Sequence, residues 1–300
     1  MIIAPDWYDN LPLVGVLVAA VLYELGGRQR LVLISRSGTR RVHSPVRRWR
    51  TAAFYAGLVS IVVALQPPMD GWADSMFWAH MIQHMLLLVV AAPFFVIAAP
   101  WMRLWSGFPL AFRRPVARAV VQSARAAPLR AAGRFVVSPP AAWVLFNAIL
   151  IGWHVPFLYD RALQNQALHS LEHTSFLLFA VIFWAQLIDS SPFHARLDYA
   201  HRFFYMAASM FPSWLLALVM VFSGTPLYPA YAIRESSPSG LGVMADQQMG
   251  GAIMWMIGSI PFAIMGFCLI YKWVETSMDG TAQHGRRRRR VAVVSDDGPA

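Results

Sequence analysis

The apolar residues of this chain are gathered into long runs that are separated by shorter polar segments. A run of about twenty apolar residues can cross the hydrocarbon core of a bilayer as an α-helix, because each residue adds about 1.5 Å. The pattern predicts an all-α membrane protein, a bundle of about seven transmembrane helices. The fourth run is short, and we expect it to begin nearer Val136. We number the predicted spans 1 to 7; they cover Leu11–Gly27, Thr51–Pro67, Met76–Ala99, Ala141–His154, Leu168–Ile188, Phe203–Ser223 and Met249–Trp273.

Composition favours a lipid environment over water. Apolar residues make up 57% of the 300 residues and charged residues 13%, whereas soluble domains have roughly 45–50% and about 25%. The net charge of +10 is strongly basic, which in a soluble protein would suggest a nucleic-acid partner. Here the arginines flank apolar runs, so we attribute the charge to membrane orientation and expect a lipid bilayer and no nucleic acid as partner. The single cysteine, Cys268, excludes an internal disulfide and paired-thiolate metal motifs.

The basic residues are distributed asymmetrically between the two sides of the predicted bundle. Of the 25, 22 fall in the connections after spans 1, 3, 5 and 7 and a further one, Lys272, lies at the same end of span 7, whereas only Arg161 and Arg234 fall in the other connections. Because basic residues concentrate in cytoplasmic connections, the distribution predicts an N-terminus outside and a cytoplasmic C-terminus. The first ten residues contain Asp6 and Asp9 but no basic residue, so we expect no signal peptide and a retained span 1.

Two polar segments lie on the predicted cytoplasmic side. The connection Trp101–Val137 is rich in arginine and alanine, which is typical of either an amphipathic helix on the membrane surface or a solvated linker. The C-terminal segment contains five consecutive arginines, Arg286 to Arg290. We therefore divide the chain into a transmembrane helical domain, residues 1–275, and an arginine-rich cytoplasmic tail, residues 276–300, predicted to be disordered.

Five of the nine histidines fall at the predicted outer ends of spans 3, 4 and 5. On span 3 the spacing of i, i+3 and i+4 places His80, Gln83 and His84 on one helix face. The trio of histidine, glutamate and histidine on span 5 repeats this geometry. Polar groups facing lipid are costly, so we expect these faces to turn into the bundle and towards one another. The candidate residues are His80, His84, His154, His169 and His173, with Glu172 beside them.

Two such histidine pairs with a fifth histidine on a third helix suit a transition-metal site, since neutral imidazole binds copper, zinc, nickel and iron well. In this hypothesis the histidines are metal ligands, copper is the expected ion and zinc the alternative. Glu172 would be a further ligand or would orient an imidazole from the outer shell. Two other interpretations stay open, namely ordinary hydrogen-bonded interfacial histidines and a bis-histidine haem protein.

The segment His169–His173 has the form HxxEH, the inverted zinc-peptidase motif. In an intramembrane zinc hydrolase, Glu172 would act as general base beside a metal-bound water. The motif is only five residues long and lies at a membrane entry rather than in a soluble domain, so we keep a hydrolase as the alternative to a non-enzymatic protein.

Four segments together resemble the CtaG family of multi-span bacterial proteins. They are HMIQHML (His80–Leu86), WHVPFLYD (Trp153–Asp160), LHSLEH (Leu168–His173) and DQQMGG (Asp246–Gly251), in the family's order. The resemblance runs from about residue 50 to residue 275. It implies an assembly factor for caa-type cytochrome c oxidase in the bacterial plasma membrane, with oxidase subunits as partners and a role in copper handling. The family's histidines correspond to the five candidate histidines.

Overall fold

The computed structural model describes the backbone of residues 10–36, 45–232 and 240–296. This part of the chain is helical apart from short connections and one isolated β-bridge, Ser190 to Phe193. Six of its helices are long and apolar enough to cross a membrane, or seven if the bent pair Ala124–Val136 and Pro139–Trp153, with 74° between its halves, forms one span. The prediction of an all-α, multi-span membrane protein is confirmed, whereas the side on which each terminus lies stays a prediction.

Every predicted span corresponds to a helix. Most ends are shifted by a few residues, but the helices of spans 1 and 7 continue nine and 23 residues beyond the predicted ends. Span 4 begins between the two expected starts, because Pro139 sits at the first helical position and Ser138 before it is extended. Span 3 contains a π-helical segment, Leu86–Ala91, between two α-helices. The helices at the predicted spans 1 to 7, of which the fourth counts as a span only together with the bent helix before it, are Leu11–Arg36, Pro45–Leu65, Phe77–Ala98, Pro139–Trp153, Gln166–Trp184, Tyr199–Phe222 and Val243–Asp296.

Span 6 starts four residues earlier than expected, which moves Arg202 from a connection into the helix. The arginine is 6% exposed, and its guanidinium lies 3.0 Å from a carboxylate oxygen of Asp189. This ion pair neutralises an arginine that was predicted to lie in the connection before span 6 and was counted among the cytoplasmic basic residues.

The two cytoplasmic segments of the sequence analysis are described in part. The connection after span 3 forms the helices Trp101–Gly107, Leu110–Ala117 and Ala127–Val136. Its Leu129 and Phe135 are 63% and 68% exposed, which favours a helix on the membrane surface over a solvated linker. The backbone of span 7 continues as helix to Asp296, but side chains beyond Met278 lie outside the described residues, so the division at residue 275 and the disordered tail stay predictions.

The start of span 7 packs against the start of span 3. Asp246 accepts hydrogen bonds from the backbone N–H groups of Phe77 and Trp78, at 2.9 and 3.0 Å. It therefore caps a helix that has no side-chain cap of its own. A Cβ on Gly250 would lie 2.4 Å from the ring of Phe77, and one on Gly251 would lie 2.9 Å from Met220. Both glycines thus serve close helix packing.

The end of span 1 is fixed to the segment that follows span 3. The Arg103 guanidinium lies 3.6 Å from the ring centroid of Tyr23 and donates to the Tyr23 carbonyl at 2.7 Å. The backbone of span 1 approaches this helix so closely that Gly26 and Gly107 leave no room for a Cβ. The end of span 1 therefore lies beside the end of span 3, away from the Asp246 cap.

Candidate metal centre

The structure brings the five candidate histidines together at one end of the bundle. His80 and His84 lie in the first turns of span 3, His169 and His173 in the first turns of span 5, and His154 terminates span 4. The ring centroids are 4.4 Å apart within the first pair and 4.3 Å within the second. Distances between elements are 5.2 Å for His80–His169, 5.5 Å for His84–His173 and 5.6 Å for His84–His154. The convergence expected from the spacing is observed.

The cluster is almost entirely shielded from its surroundings. His80, His84 and Glu172 are 0% exposed, His154 is 3% exposed, and His169 and His173 are 7% exposed. Burying polar groups is costly unless each finds a partner. The function of the cluster therefore depends on which atoms or ions pair with these polar groups.

Two overlapping groups of three side chains have the geometry of a metal site. They are His80 with His84 and His173, and His80 with His169 and Glu172; within each, the potential ligand atoms lie within 4.8 Å of one another. Zinc–imidazole bonds are about 2.0–2.1 Å long, so modest side-chain rotations would close either group around an ion. His80 belongs to both groups. His154 belongs to neither, although its ring lies beside His84.

Hydrogen bonds from the surroundings orient two of the imidazoles. Nδ1 of His154 lies 2.7 Å from the carbonyl oxygen of Leu150, which can only accept, so we assign the ring proton to Nδ1. The Tyr231 hydroxyl donates to the Ala73 carbonyl at 2.8 Å and can therefore accept from Nδ1 of His80, 3.2 Å away. In both rings this leaves the Nε2 lone pair available, the arrangement found in metal-ligating histidines.

Eight buried atoms of the cluster have no hydrogen-bond partner among the described residues. They are Nε2 of His80, His154, His169 and His173, both nitrogens of His84 and both carboxylate oxygens of Glu172. Glu172 Oε1 is 3.4 Å from His84 Nε2. Folded proteins leave few buried polar atoms unpaired. A concentration of nitrogen and carboxylate donors of this kind fits residues that hold a cation.

Three buried tyrosines surround the cluster, and the sequence analysis missed them. Besides the contact of Tyr231 with His80, the Tyr228 hydroxyl donates to the His154 carbonyl at 3.1 Å. Tyr159 lies 3.4 Å from the Tyr231 hydroxyl. Burial raises the pKa of Tyr159 and Tyr228, so both stay neutral hydroxyl groups. Their positions were the one indication in the sequence: all three tyrosines fall in connections on the same side of the predicted bundle as the five histidines.

Several other polar residues near the cluster hold the helices rather than face the donors. The Gln83 side-chain amide, on the same helix face as the span 3 histidines, donates to the Ala64 carbonyl at 2.8 Å and to Asp70 at 3.1 Å. This ties span 3 to span 2. Trp153 donates to Ser175 at 2.8 Å and ties span 4 to span 5. These contacts position the histidines through their helices.

The fold and the site define a multi-pass membrane protein whose spans enclose a histidine-rich cluster at one end. Residues 31–276 match the family model described as cytochrome c oxidase caa3 assembly factor, Caa3_CtaG. The chain therefore belongs to this family, and the resemblance read from the four motifs is confirmed.

Similar proteins occur in mycobacteria. Uncharacterized proteins of Mycobacterium bovis and Mycobacterium tuberculosis are each 24% identical over 250 residues, which is 82% of this chain and 36% of theirs. An uncharacterized protein of Mycobacterium leprae is 24% identical over 266 residues, 87% of this chain and 38% of its own. The chain thus spans little more than a third of the length of these curated relatives. No solved structure matches it.

Proposed function

We propose that the protein binds a copper ion in the histidine cluster and makes it available while cytochrome c oxidase is assembled. Family membership supplies the link to the oxidase. The observation that carries the metal is the pair of overlapping donor groups with ligand atoms within 4.8 Å. Imidazole is a good ligand for copper, which heads the divalent affinity order for nitrogen donors.

His80 belongs to both donor groups, which suits an ion that is transferred to another protein rather than retained. An ion held by His80, His84 and His173 could move to the second group by exchanging two ligands while His80 keeps contact. The second group includes a carboxylate, a harder ligand that favours Cu(II) or zinc over Cu(I). The cluster would therefore offer two neighbouring environments for one cargo ion.

A zinc hydrolase is the second candidate, because the HxxEH motif and the buried Glu172 belong to the cluster. The position of Glu172 weighs against it. A carboxylate oxygen that lies within 4.8 Å of potential ligand atoms of His80 and His169 can coordinate the ion, whereas the hydrolase needs it free as general base. We therefore favour the assembly role and expect no catalytic activity of the protein itself.

We further propose that the protein lies in the bacterial plasma membrane with the cluster at the outer face and the C-terminus in the cytoplasm. The supporting observation is the charge asymmetry, 23 basic residues against two. The structure adds that the cluster lies at the starts of spans 3 and 5. In this orientation those starts face the outside.

Metal analysis of purified protein combined with oxidase activity tests the function. We expect the wild-type protein to bind copper, and the double variant His80→Ala/His173→Ala to lose it together with oxidase activity in membranes of a complemented deletion strain. His201→Ala is the matched control, because this histidine lies at the other end of the bundle, paired with Asp198 at 2.8 Å. Full oxidase activity in the double variant would overturn the proposal, and bound zinc with no copper would favour the hydrolase.

A further inference from the structure

A cavity of about 520 Å³ lies between spans 1, 2, 3 and 5 and reaches the histidine cluster. Span 1 lines it from Leu11 to Ala19, a length of about 12 Å along the helix. The lining residues from spans 1 and 2 are apolar, for example Val16 and Leu58, and Trp101 also lines the cavity. Its size is that of pockets that hold small organic ligands, which are roughly 300–1,000 Å³.

One wall of this cavity is polar. Along one face of span 5 the lining residues are Gln166, His169, Ser170, His173 and Thr174, at the spacing of neighbours on a single helix face. Asp70 is the charged residue among the lining residues, which include no lysine or arginine. The cavity therefore combines an apolar interior with a strip of uncharged or acidic hydrogen-bonding groups.

The polar strip contains the most accessible members of the histidine cluster. His169 and His173 are each 7% exposed and line the cavity, whereas His80, His84 and Glu172 are fully buried. Each of the two lining histidines keeps an Nε2 atom without a hydrogen-bond partner among the described residues. Both Nε2 atoms are themselves buried, so a ligand head group in the cavity would meet the exposed edges of these two imidazole rings.

We propose that the cavity binds an uncharged amphiphile, with a hydrogen-bonding head group against His169 and His173 and an apolar chain between spans 1 and 2. Among the described residues no cation lines the cavity and Asp70 does, so this lining does not suit the phosphate of a phospholipid, which needs cationic or N–H donors. A prenylated quinone and a neutral glyceride share the required chemistry, and both are soluble in the bilayer. The amphiphile requires no bound metal, although His169 and His173 also belong to the two donor groups.

Gly15 allows the cavity to be filled without disturbing helix packing. It lines the cavity on span 1, and a Cβ added there meets no heavy atom within 4 Å. The variant Gly15→Leu would therefore occupy space that the amphiphile needs. Gly152→Leu is the matched control, because Gly152 is also free of neighbours within 4 Å but lies on span 4, outside the lining.

The test uses the full chain purified in detergent, with a benzoquinone carrying two isoprene units, dioleoylglycerol and phosphatidylglycerol as probes. We expect the quinone or the glyceride to bind in about one copy per chain, and Gly15→Leu to weaken that binding at least about ten-fold while Gly152→Leu leaves it unchanged. Which of the two probes binds identifies the source of the amphiphile.

Two results would overturn the proposal: no binding of either uncharged probe, or equal binding of phosphatidylglycerol with no effect of Gly15→Leu, which would indicate surface lipid only. Metal content measured on the same samples separates the two proposals. If the chain binds copper but neither uncharged probe, the amphiphile site is refuted and the metal site is supported. If the chain binds the quinone or the glyceride but no metal, the metal site is refuted and the amphiphile site is supported.

Discussion

Nε2 of His84 on span 3 lies 3.4 Å from Oε1 of Glu172 on span 5, and both side chains are fully buried. The contact joins the two histidine-bearing helices at the depth of the cluster. A carboxylate beside an imidazole is the usual means by which proteins orient metal-ligating histidines and raise their basicity. Glu172 can thus support His84 or coordinate an ion itself, and the two roles give different results on substitution.

For Glu172→Gln, support of His84 predicts a loss of roughly 10–100-fold in metal affinity with oxidase maturation reduced in parallel. Glutamine keeps the size of the side chain and some hydrogen bonding, so part of the function should survive. Competition titration with a chelator of known affinity measures the first quantity, and oxidase activity in membranes the second. Intact metal binding with complete loss of function would instead assign a general base and favour the hydrolase.

The single histidine variants should differ in order of severity. His80→Ala removes a donor from both groups, His173→Ala from one and His154→Ala from neither. We therefore expect metal retention to fall most in His80→Ala and least in His154→Ala, as measured by bound copper per purified chain. The His201→Ala control should match the wild type. Equal losses in His80→Ala and His154→Ala would contradict the geometric ranking.

Orientation can be tested with single-cysteine variants. Cys268 is exposed, so it is first replaced by alanine, and the resulting cysteine-free chain is the unlabelled control. A membrane-impermeant maleimide applied to intact cells should label Asn10→Cys, whereas Ser295→Cys should react only after permeabilisation. Labelling of Ser295→Cys from outside would place the histidine cluster at the cytoplasmic face.

Asp246→Ala should destabilise the bundle by about 1–2 kcal/mol, because the buried N–H of Phe77 and the partly buried N–H of Trp78 lose their acceptor. Asp198→Ala is the comparison, since Asp198 caps span 6 through the His201 N–H at 2.9 Å but is exposed, and water can replace it. Thermal unfolding in detergent measures both. If the two variants lowered the midpoint equally, burial of the Asp246 cap would have no energetic role.

The pair of Asp189 and Arg202 should make stability depend on acid pH. Partial burial alone raises the pKa of Asp189, but hydrogen bonds from Arg202 and from the Ala195 N–H outweigh it, so the pKa lies below its usual 3.8. The pair therefore stabilises the folded state above pH 3.8, and this contribution is lost as the pH falls through the lowered pKa. Unfolding midpoints of wild type and Asp189→Asn should converge on acidification. A difference that stays constant below pH 3.8 would contradict the ion pair.

The sequence predicted the parts of the site that depend on helix periodicity. The i, i+4 spacing of His80 and His84, repeated at His169 and His173, was sufficient to foresee convergence, since polar faces in a membrane must turn inwards. The division of the histidines into two donor groups was not foreseeable. It depends on rotamers and on the exact approach of three helices, for which the sequence contains no periodic signal.

The contributions of the connections were harder to anticipate. Tyr231 reaches His80 only because the segment after span 6 returns over the cluster, and no repeat in the sequence marks that path. Asp246 opens span 7 in the sequence, yet its carboxylate caps the start of span 3. The physical reason is that the start of span 3 has no acceptor of its own, so a neighbouring helix supplies one.

The π-helical segment Leu86–Ala91 begins two residues after His84. A π turn holds one residue more than the corresponding α turn, which offsets everything beyond it by about 100° around the helix axis. The two halves of span 3 therefore face different directions. The first half directs its imidazoles to span 5, and the second half, rotated by the π turn, presents its apolar side chains to span 2. A chemical centre and a packing surface can thus change separately within one transmembrane helix.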